Sequence, residues 1–404
     1  MDWPASPEGG QLGDGRFAFA TDRPGSIDEL GAVVAARSGQ GYAIYPRGGA
    51  TALGYGGVPR SPGVAVDLRG LDRVVDYPAA DLTITIEAGI TLAQLRAILA
   101  AEGQRPAIEA PEADRATLGG IYATDASGPR RFGLGRPRDQ IIGVRFVDAS
   151  GRSIKGGGRV VKNVAGYDFP KLLTGSLGTL GILAELTLKV RPRPEAAAIA
   201  RATYPTLPGA FDAVARLGTS ATRPVSLDVT NADGGWTLAV GFEGNAEAVA
   251  WQVDRLRGEL DRADFEVLEG LEAESHWGSL VDWQAGTDGP LTIKANLRAS
   301  LVAGWLGRLD PARWSIQAHA GNGIARARLL EDPGLDAVAA EVDALRAEAV
   351  RLGGNLTLPR CPTAWKSRLR VWGEPESDLA IARRVKAALD PKSVLNPGRF
   401  VGEI

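Results

Sequence analysis

The apolar positions of the chain alternate between helical spacing and strand-like runs. Ser26-Ile27-Asp28-Glu29 has the form of a capping box, in which a Ser oxygen and a Glu carboxylate satisfy free N–H groups at a helix start. The helix it predicts runs through Leu30, Val33 and Val34 and stops near Gly39, and a short strand follows over Tyr42 to Tyr45. Val64 to Leu68 and Leu82 to Ile86 are β-rich runs bounded by Gly, Pro and Asp. The second alternates aliphatic residues with Thr, the pattern of a half-buried strand. Ala88-Gly89 turns the chain into a helix whose apolar face is Leu92, Leu95, Ile98 and Leu99. Ile141 to Val147 reads as a strand, Ala149-Ser150-Gly151 as a turn, and Leu183 to Val190 as a strand that leaves at Pro192 and Pro194.

Beyond Arg191-Pro192-Arg193-Pro194 the glycine density drops and Trp- and Leu-rich helical periodicity takes over, which marks a domain boundary. The pattern predicts strand 197–204, helix 207–218, strands 224–230 and 236–242, helix 246–262 and strand 265–269. Such β–α–β halves make a ferredoxin-like sheet covered by helices. A similar set follows, with strands near 291–297, 314–320 and 324–329, a helix over 335–352 and a strand over 355–358. Leu335, Val338, Val342, Leu345 and Val350 form that helix's stripe, and Trp236, Trp251, Trp277, Trp283, Trp305 and Trp314 read as core or subunit-contact anchors. A last helix covers Ile381 to Leu389.

Composition narrows the function classes. At 404 residues the chain is long enough for two or three domains, and 44% hydrophobic with 23% charged residues is an ordinary globular mixture. A net charge of −2 gives no basis for nucleic-acid binding. The single Cys361 excludes a disulfide framework and any multi-cysteine iron–sulfur or zinc site within the chain. The start, Met1-Asp2-Trp3-Pro4, has no apolar secretory core, and no uncharged apolar run reaches the length of a membrane span. The expectation is a cytoplasmic protein, with any peripheral membrane association made through partners.

Two glycine-rich stretches carry the candidate chemistry. Pro46-Arg47-Gly48-Gly49-Ala50-Thr51-Ala52-Leu53-Gly54 follows the strand at 42–45. A Gly-rich turn after a strand can align N–H groups into an anion-binding nest, and can equally be a plain turn. Neither the Walker A pattern nor the Rossmann fingerprint is present. The second stretch runs from Ala110 to Pro192, with Thr117-Leu118-Gly119-Gly120, Ser127-Gly128-Pro129-Arg130-Arg131, Lys162-Asn163-Val164-Ala165-Gly166-Tyr167-Asp168 and Gly175-Ser176-Leu177-Gly178-Thr179-Leu180-Gly181-Ile182. So many positions free of a Cβ suit a backbone laid along a long, flat, partly anionic cofactor. Thr117, Thr124, Ser127, Ser176 and Thr179 stand beside the glycines as small hydroxyl donors.

These segments, in this order and with Arg138-Asp139 between them, resemble the FAD-binding domain of the vanillyl-alcohol oxidase superfamily, the PCMH-type flavin fold. Within it they are most similar to the FAD-binding E subunits of bacterial glycolate oxidase (glycolate dehydrogenase) complexes. Asp390-Pro391 followed by Asn396-Pro397-Gly398-Arg399 resembles the C-terminal signature of the same family. The resemblance implies an α+β protein: a PCMH-type FAD-binding domain of two α+β subdomains over 1–194, a ferredoxin-like α+β cap over 195–375, and a segment over 376–404 that returns to the FAD domain. It implies that Pro46, Arg47, Gly48, Gly49, Ala50, Thr51 and Ala52 surround the FAD diphosphate, with Arg47 or Thr51 adding a side-chain contact. Thr117, Gly119, Gly120, Thr124, Ser127, Gly128, Gly181 and Ile182 would complete the bed, and Asn396 would lie near the flavin ring. Some relatives attach FAD through a His just after the Gly-Gly of the first loop. That place is Ala50 here, so FAD is expected to be held non-covalently.

The resemblance also shows what is missing. Catalytic relatives carry a paired-histidine metal segment, His-x-Gly-Asp-Gly-Asn-x-His, and a later Gly-Gly-…-Glu-His segment. Here the first is His319-Ala320-Gly321-Asn322-Gly323-Ile324-Ala325-Arg326, with Arg326 at the second His. The second is Gly353-Gly354-Asn355-Leu356-Thr357-Leu358-Pro359-Arg360, with Pro359 and Arg360 at the Glu and His. One His makes no metal site, so no catalytic metal is expected, and the catalytic base is left unassigned. The reading is an FAD-bearing component of an enzyme that oxidises a small 2-hydroxy acid such as glycolate, completed by a homologous flavoprotein subunit and an iron–sulfur subunit. A self-sufficient flavin oxidoreductase and a cofactor-free structural subunit are the alternatives.

Overall fold

A computed structural model describes residues 3, 9–158, 166–232, 234–260, 265–374 and 377–404. The chain divides into two compact units. The first comprises Met1–Ser127, Arg136–Arg193 and Glu374–Ile404, and the second Gly128–Gly135 and Pro194–Gly373. The segment Gly128–Gly135, placed by sequence inside the FAD-binding domain, is thus grouped with the second unit. Its attachments explain why. Arg130 bonds Glu243 (2.8 Å) and Glu274 (2.9 Å) and stacks 4.5 Å over the Trp277 ring, and the Gly133 N–H donates to the Val225 carbonyl at 3.0 Å.

The first unit contains two sheets. Strands β1 (Gln11–Gly13) and β2 (Arg16–Phe17) form a hairpin ahead of a parallel sheet. That sheet holds β3 (Thr21–Asp22), β4 (Ala43–Arg47) and β5 (Gly63–Asp67), in the order β3-β5-β4. The helix Ile27–Gly39 covers it, and Ile27, Leu30 and Val34 join Ile44, Val64, Val66, Val394 and Leu395 in one core. The predicted capping box is half formed. Ser26 Oγ accepts from the Glu29 N–H, but the Glu29 carboxylate accepts from Gly25, one residue further back. A complete box forms instead at Thr91 and Gln94, ahead of the helix Leu92–Ala100.

The second sheet is antiparallel. It is built from β6 (Val74–Asp76), β7 (Thr83–Glu87), β8 (Gln104–Pro106), β9 (Ile141–Val147), β10 (Ser153–Gly157) and β11 (Ile182–Pro192). Its order is β10-β9-β11-β7-β6, with β8 also on β11. Strand β7 is buried on both faces rather than half-buried, and the Thr85 hydroxyl is satisfied there by that of Thr187 on β11 at 3.0 Å. The tail adds to the parallel sheet through a bridge between Ile44 and Leu395. The Lys162–Ala165 part of the Lys-Asn-Val-Ala-Gly motif lies outside the described residues. Asp168 caps the helix Phe169–Leu173.

The second unit is built on one eight-stranded antiparallel sheet. Its strands are β12 (Ala196–Tyr204), β13 (Ser226–Ala232), β14 (Gly235–Gly244), β15 (Glu266–Glu269), β16 (Thr292–Asn296), β17 (Trp314–His319), β18 (Ile324–Leu329) and β19 (Asn355–Arg360). They run in the order β15-β12-β14-β13-β17-β18-β16-β19. The two predicted β–α–β sets are therefore joined edge to edge through β13 and β17. One face carries the helices Leu207–Leu217, Ala246–Glu259 and Leu335–Arg351, over a core that includes Trp236, Trp305 and Trp314. The last helix keeps Val338, Val342 and Leu345 inside, but its fourth inward position is Ala349, and Val350 is 58% exposed. Trp251 is likewise exposed rather than a core anchor. The helix Gly270–Asp282, absent from the sequence reading, covers part of the other face through Ala273, Trp277 and Leu280. No helix among the described residues is long and apolar enough to cross a membrane.

Candidate cofactor site

The first unit holds a cleft of about 930 Å³, open to solvent and floored by the loop that leaves β4. Gly48 and Gly49 press that loop against the segment ahead of the helix Leu118–Thr124. A Cβ on Gly48 would stand 2.0 Å from Thr117 Oγ1, and one on Gly49 would stand 1.6 Å from the Arg115 carbonyl oxygen. Ala50 then takes a left-handed conformation, φ 60. The N–H groups of residues 48 to 52 make no hydrogen bond among the described residues. A run of uncommitted backbone donors around a left-handed residue is a nest for an anion, and a diphosphate fits it.

Three further walls complete the cleft. Thr117, Gly119, Gly120, Ala123 and Thr124 come from the helix Leu118–Thr124 and its cap, and Leu177, Gly178, Ile182 and Leu183 from the turn into β11 and its start. Asn396 and Arg399 come from the tail. The cleft thus brings together Pro46, Arg47, Gly48, Gly49, Ala50, Thr51, Ala52, Thr117, Gly119, Gly120, Thr124, Ile182 and Asn396. Ser127, Gly128 and Gly181 are not on its walls. Ser127 is buried, and Gly128 belongs to the segment grouped with the second unit. Gly181 makes room for Phe146, whose ring would lie 2.5 Å from an added Cβ.

Several side chains serve the scaffold first. The Arg47 guanidinium turns away, donating to the Gln11 carbonyl at 3.3 Å and lying 3.7 Å from buried Asp67. Thr117 Oγ1 accepts from the Gly120 N–H, Thr124 Oγ1 donates to the Gly120 carbonyl at 2.8 Å, and Thr179 Oγ1 donates to the Ser176 carbonyl at 2.7 Å. Ser176 is buried, and its hydroxyl has no partner among the described residues. These hydroxyls shape the backbone that faces the cleft.

The tail is fastened by two buried charges. Lys386 Nζ donates to Asp390 (2.7 Å), the Thr179 carbonyl (2.7 Å) and the Leu395 carbonyl (3.0 Å). Burial pushes the Lys386 ammonium below its ordinary range, while Asp390 pulls it back. Asn396, at φ 45, donates through its backbone to Ile44 at 2.9 Å and through its side chain to the Leu177 carbonyl at 2.5 Å. Arg399 bonds Asp14 at 2.8 Å, the Gly57 carbonyl at 2.7 Å and the Leu53 carbonyl. Gln11, Leu12, Tyr45, Leu53, Tyr55, Leu68, Leu177, Gly178 and Arg399 are wall residues outside the set predicted for the cofactor. Tyr45 is held by a bond from its hydroxyl to the Ser61 carbonyl, and burial pushes its phenol up to about 12.

The echo of the histidine segment lies in the second unit. His319 Nδ1 meets Asp228 Oδ1 at 2.5 Å, both residues being buried on facing strands. Burial pushes the Asp228 carboxyl up to about 8, against the pull of His276, Ser226 and Arg326. Arg326 stands in register with Gln317 and Lys294, and Arg360 donates to the Gly286 carbonyl at 2.8 Å. Among the described residues, no three His, Cys, Asp or Glu side chains are grouped to hold a metal ion.

Two segments of the chain match known protein families. The family described as "FAD binding domain" matches residues 20–157, and "FAD linked oxidases, C-terminal domain" matches residues 370–400. Glycolate oxidase subunit GlcE of Escherichia coli is 41% identical over 135 residues, 33% of this chain and 39% of that protein. D-2-hydroxyglutarate dehydrogenase of Xanthomonas citri is 34% identical over 42% of this chain and 36% of that protein, so each alignment spans well under half of the relative. Glycolate oxidase subunit GlcD of Bacillus subtilis is 25% identical over 93% of this chain and 87% of that protein. Among solved structures, an alkyldihydroxyacetonephosphate synthase superposes with a TM-score of 0.70 at 20% identity, covering 93% of this chain and 75% of that one, which shows a shared fold. The chain thus carries an FAD-binding domain of the PCMH type over residues 20–157 and, over residues 370–400, a segment similar to the C-terminal domain of FAD-linked oxidases, and FAD is its cofactor.

Proposed function

We propose that the chain is the FAD-bearing subunit of a glycolate oxidase-type complex that oxidises a small 2-hydroxy acid, glycolate first, to the 2-oxo acid. Partner subunits complete the enzyme: a homologous flavoprotein and an iron–sulfur protein. The observation that carries this reading is an asymmetry within the chain. The cofactor cleft has a full set of walls, with uncommitted donors at residues 48 to 52. The segment that supplies metal ligands in catalytic relatives is replaced here by a closed His319–Asp228 pair, Arg326, Pro359 and Arg360.

The residues of the cleft would hold the diphosphate through the backbone of 48 to 52 and keep Asn396 beside the ring. Bound FAD supplies the two-electron acceptor for the hydride of the carbinol carbon. The hydroxyl proton needs a base within about 3 Å of it. Guanidinium is a donor only, and Pro359 has no donor or acceptor in its side chain. His319 is 2% exposed, with its Nδ1 committed to Asp228. A base from a partner subunit satisfies these facts. In this reading the protein works in the cytoplasm, and its partners would make any peripheral contact with a membrane.

The test is anaerobic mixing of the isolated, FAD-loaded chain with glycolate and with D-lactate, following the flavin absorbance band. Negligible bleaching, restored when the partner subunits are added, is the expected result. Bleaching at about 10 per second, ordinary enzyme turnover, would show a complete active site in this chain and favour a self-sufficient oxidoreductase.

A further inference from the structure

The family match begins at residue 20, yet two residues before it stand on the cofactor cleft. They belong to the hairpin of β1 and β2. Its turn is Asp14-Gly15, with φ 55 and 70, the left-handed pair that a two-residue type I′ turn requires. Gln11 and Leu12 form part of the cleft wall. Gly13 lies on the end of the diphosphate loop, where an added Cβ would stand 2.0 Å from the Leu53 carbonyl oxygen. The turn presents Asp14 to Arg399 at 2.8 Å, with the two side chains 3% and 6% exposed. Arg399 in turn holds the carbonyls of Leu53 and Gly57.

We propose that this hairpin is a clamp that retains the FAD dinucleotide, with Gln11 and Leu12 as added wall and the Asp14–Arg399 pair as its latch. The inference rests on FAD occupying this cleft. The hairpin, the loop after β4 and the C-terminal tail meet at one buried guanidinium. Lifting the hairpin separates that guanidinium from its carboxylate partner, a costly step away from water. The clamp therefore sets how fast FAD leaves.

The experiment uses the full chain and three single variants. Asp14→Asn removes the latch charge. Arg399→Gln removes its partner. Gly15→Val strains the turn at φ 70 without a clash, since nothing lies within 4 Å of an added Cβ. FAD release is read as the rise of flavin fluorescence after dilution, with the folded state checked by circular dichroism. Each variant is expected to release FAD at least about tenfold faster than wild type. Asp14→Asn combined with Arg399→Gln is expected to release it no faster than Arg399→Gln alone, since both break one interaction. Release within about twofold of wild type in both Asp14→Asn and Gly15→Val overturns the clamp. If Asp14→Asn fails to fold, Gly15→Val decides alone. A wild-type chain that binds no FAD overturns the clamp together with the cofactor site, whereas unchanged variants of an FAD-retaining wild type overturn the clamp only.

Discussion

Replacing Lys386 with Met tests whether the tail is held by a buried charge or only by its chain path. Methionine keeps the length and apolar stem of the side chain and removes the three donors. The Asp390 carboxylate, fully buried, loses its cation but keeps the N–H groups of Val394 at 3.0 Å and Leu395 at 2.7 Å. The Thr179 and Leu395 carbonyls each lose the Lys386 donor. Removing one partner of a buried pair costs about 3–5 kcal/mol, and the two remaining donors place this case near the lower end. For a unit of this size each kcal/mol lowers the melting temperature by roughly 2–4 °C, so a drop of about 6–12 °C is expected. Because Leu395 precedes Asn396 on the cleft wall, the flavin-to-protein ratio falls as well. Lys386→Met with Asp390→Asn should recover part of the loss, since no unpaired buried charge then remains. Scanning calorimetry and flavin absorbance measure both effects. A melting temperature within about 2 °C of wild type with full flavin content would refute the buried Lys386–Asp390 anchor of the tail.

The remaining predictions concern the cofactor and acid stability. Purified protein is expected to be yellow, with acid releasing FAD into the supernatant; flavin left on the precipitate would refute non-covalent binding at a loop that carries Ala50. Gly120→Val, whose added Cβ meets only Thr117 Oγ1 at 3.3 Å, should fold and lose FAD, whereas Gly119→Val also presses on Ala88 at 3.0 Å and should melt lower; unchanged flavin content in a folded Gly120→Val would displace the cofactor from this wall. Burial alone would push the Asp67 carboxyl up, yet hydrogen bonds from Arg69 and Arg23 outweigh it and hold it down at about 2. Its folded value lies below the unfolded one, so its contribution of about 2 kcal/mol is present above pH 4 and lost as pH falls through about 2. Asp67→Asn should flatten that acid limb in a stability–pH series, and an unchanged slope would remove Asp67 as its source.

The elements were legible where local pattern and tertiary fate agree. Strand β9 spans the predicted Ile141–Val147, and the helix 335–352 differs from its prediction by one residue at its end. The errors have local causes. The spacing of Val338, Val342 and Leu345 continues to Ala349, a small residue, and the eye moves instead to the larger Val350. The helix Gly270–Asp282 hides its stripe behind Gly and Ser, although Ala273, Trp277 and Leu280 keep the spacing. In the cleft, the Gly-rich loop after β4 is readable from its composition, whereas Gln11 and Leu12 carry no such pattern of their own. The Asp14-Gly15 dipeptide between Leu12 and Phe17 was the available hairpin signal. Arg399 was quoted only as part of a tail signature, because a partner 385 positions away in sequence leaves no local trace.

The glycines predicted to line the cofactor serve the packing of the protein itself first. A bed of glycines suggests a backbone that must lie close to a ligand. At Gly48 and Gly49 the close neighbour is the protein itself, Thr117 and the Arg115 carbonyl, and at Gly181 it is Phe146. The consequence for a ligand is indirect. In this loop, pressed against its own scaffold through its Cβ-free faces, the N–H groups of residues 48 to 52 meet no acceptor among the described residues. Uncommitted backbone donors are costly to hide from water, so they must face solvent or an anion. Glycine here fixes the loop from behind and leaves those N–H groups exposed in front, where an anion can meet them. The same logic separates two kinds of substitution. A side chain at Gly48 or Gly49 would have to displace Thr117 or the Arg115 carbonyl, and so would disturb the scaffold with or without FAD. A side chain at Gly120 would meet only Thr117 Oγ1, at 3.3 Å, so it presses on the scaffold less than one at Gly48 or Gly49 and is the better probe of the cofactor.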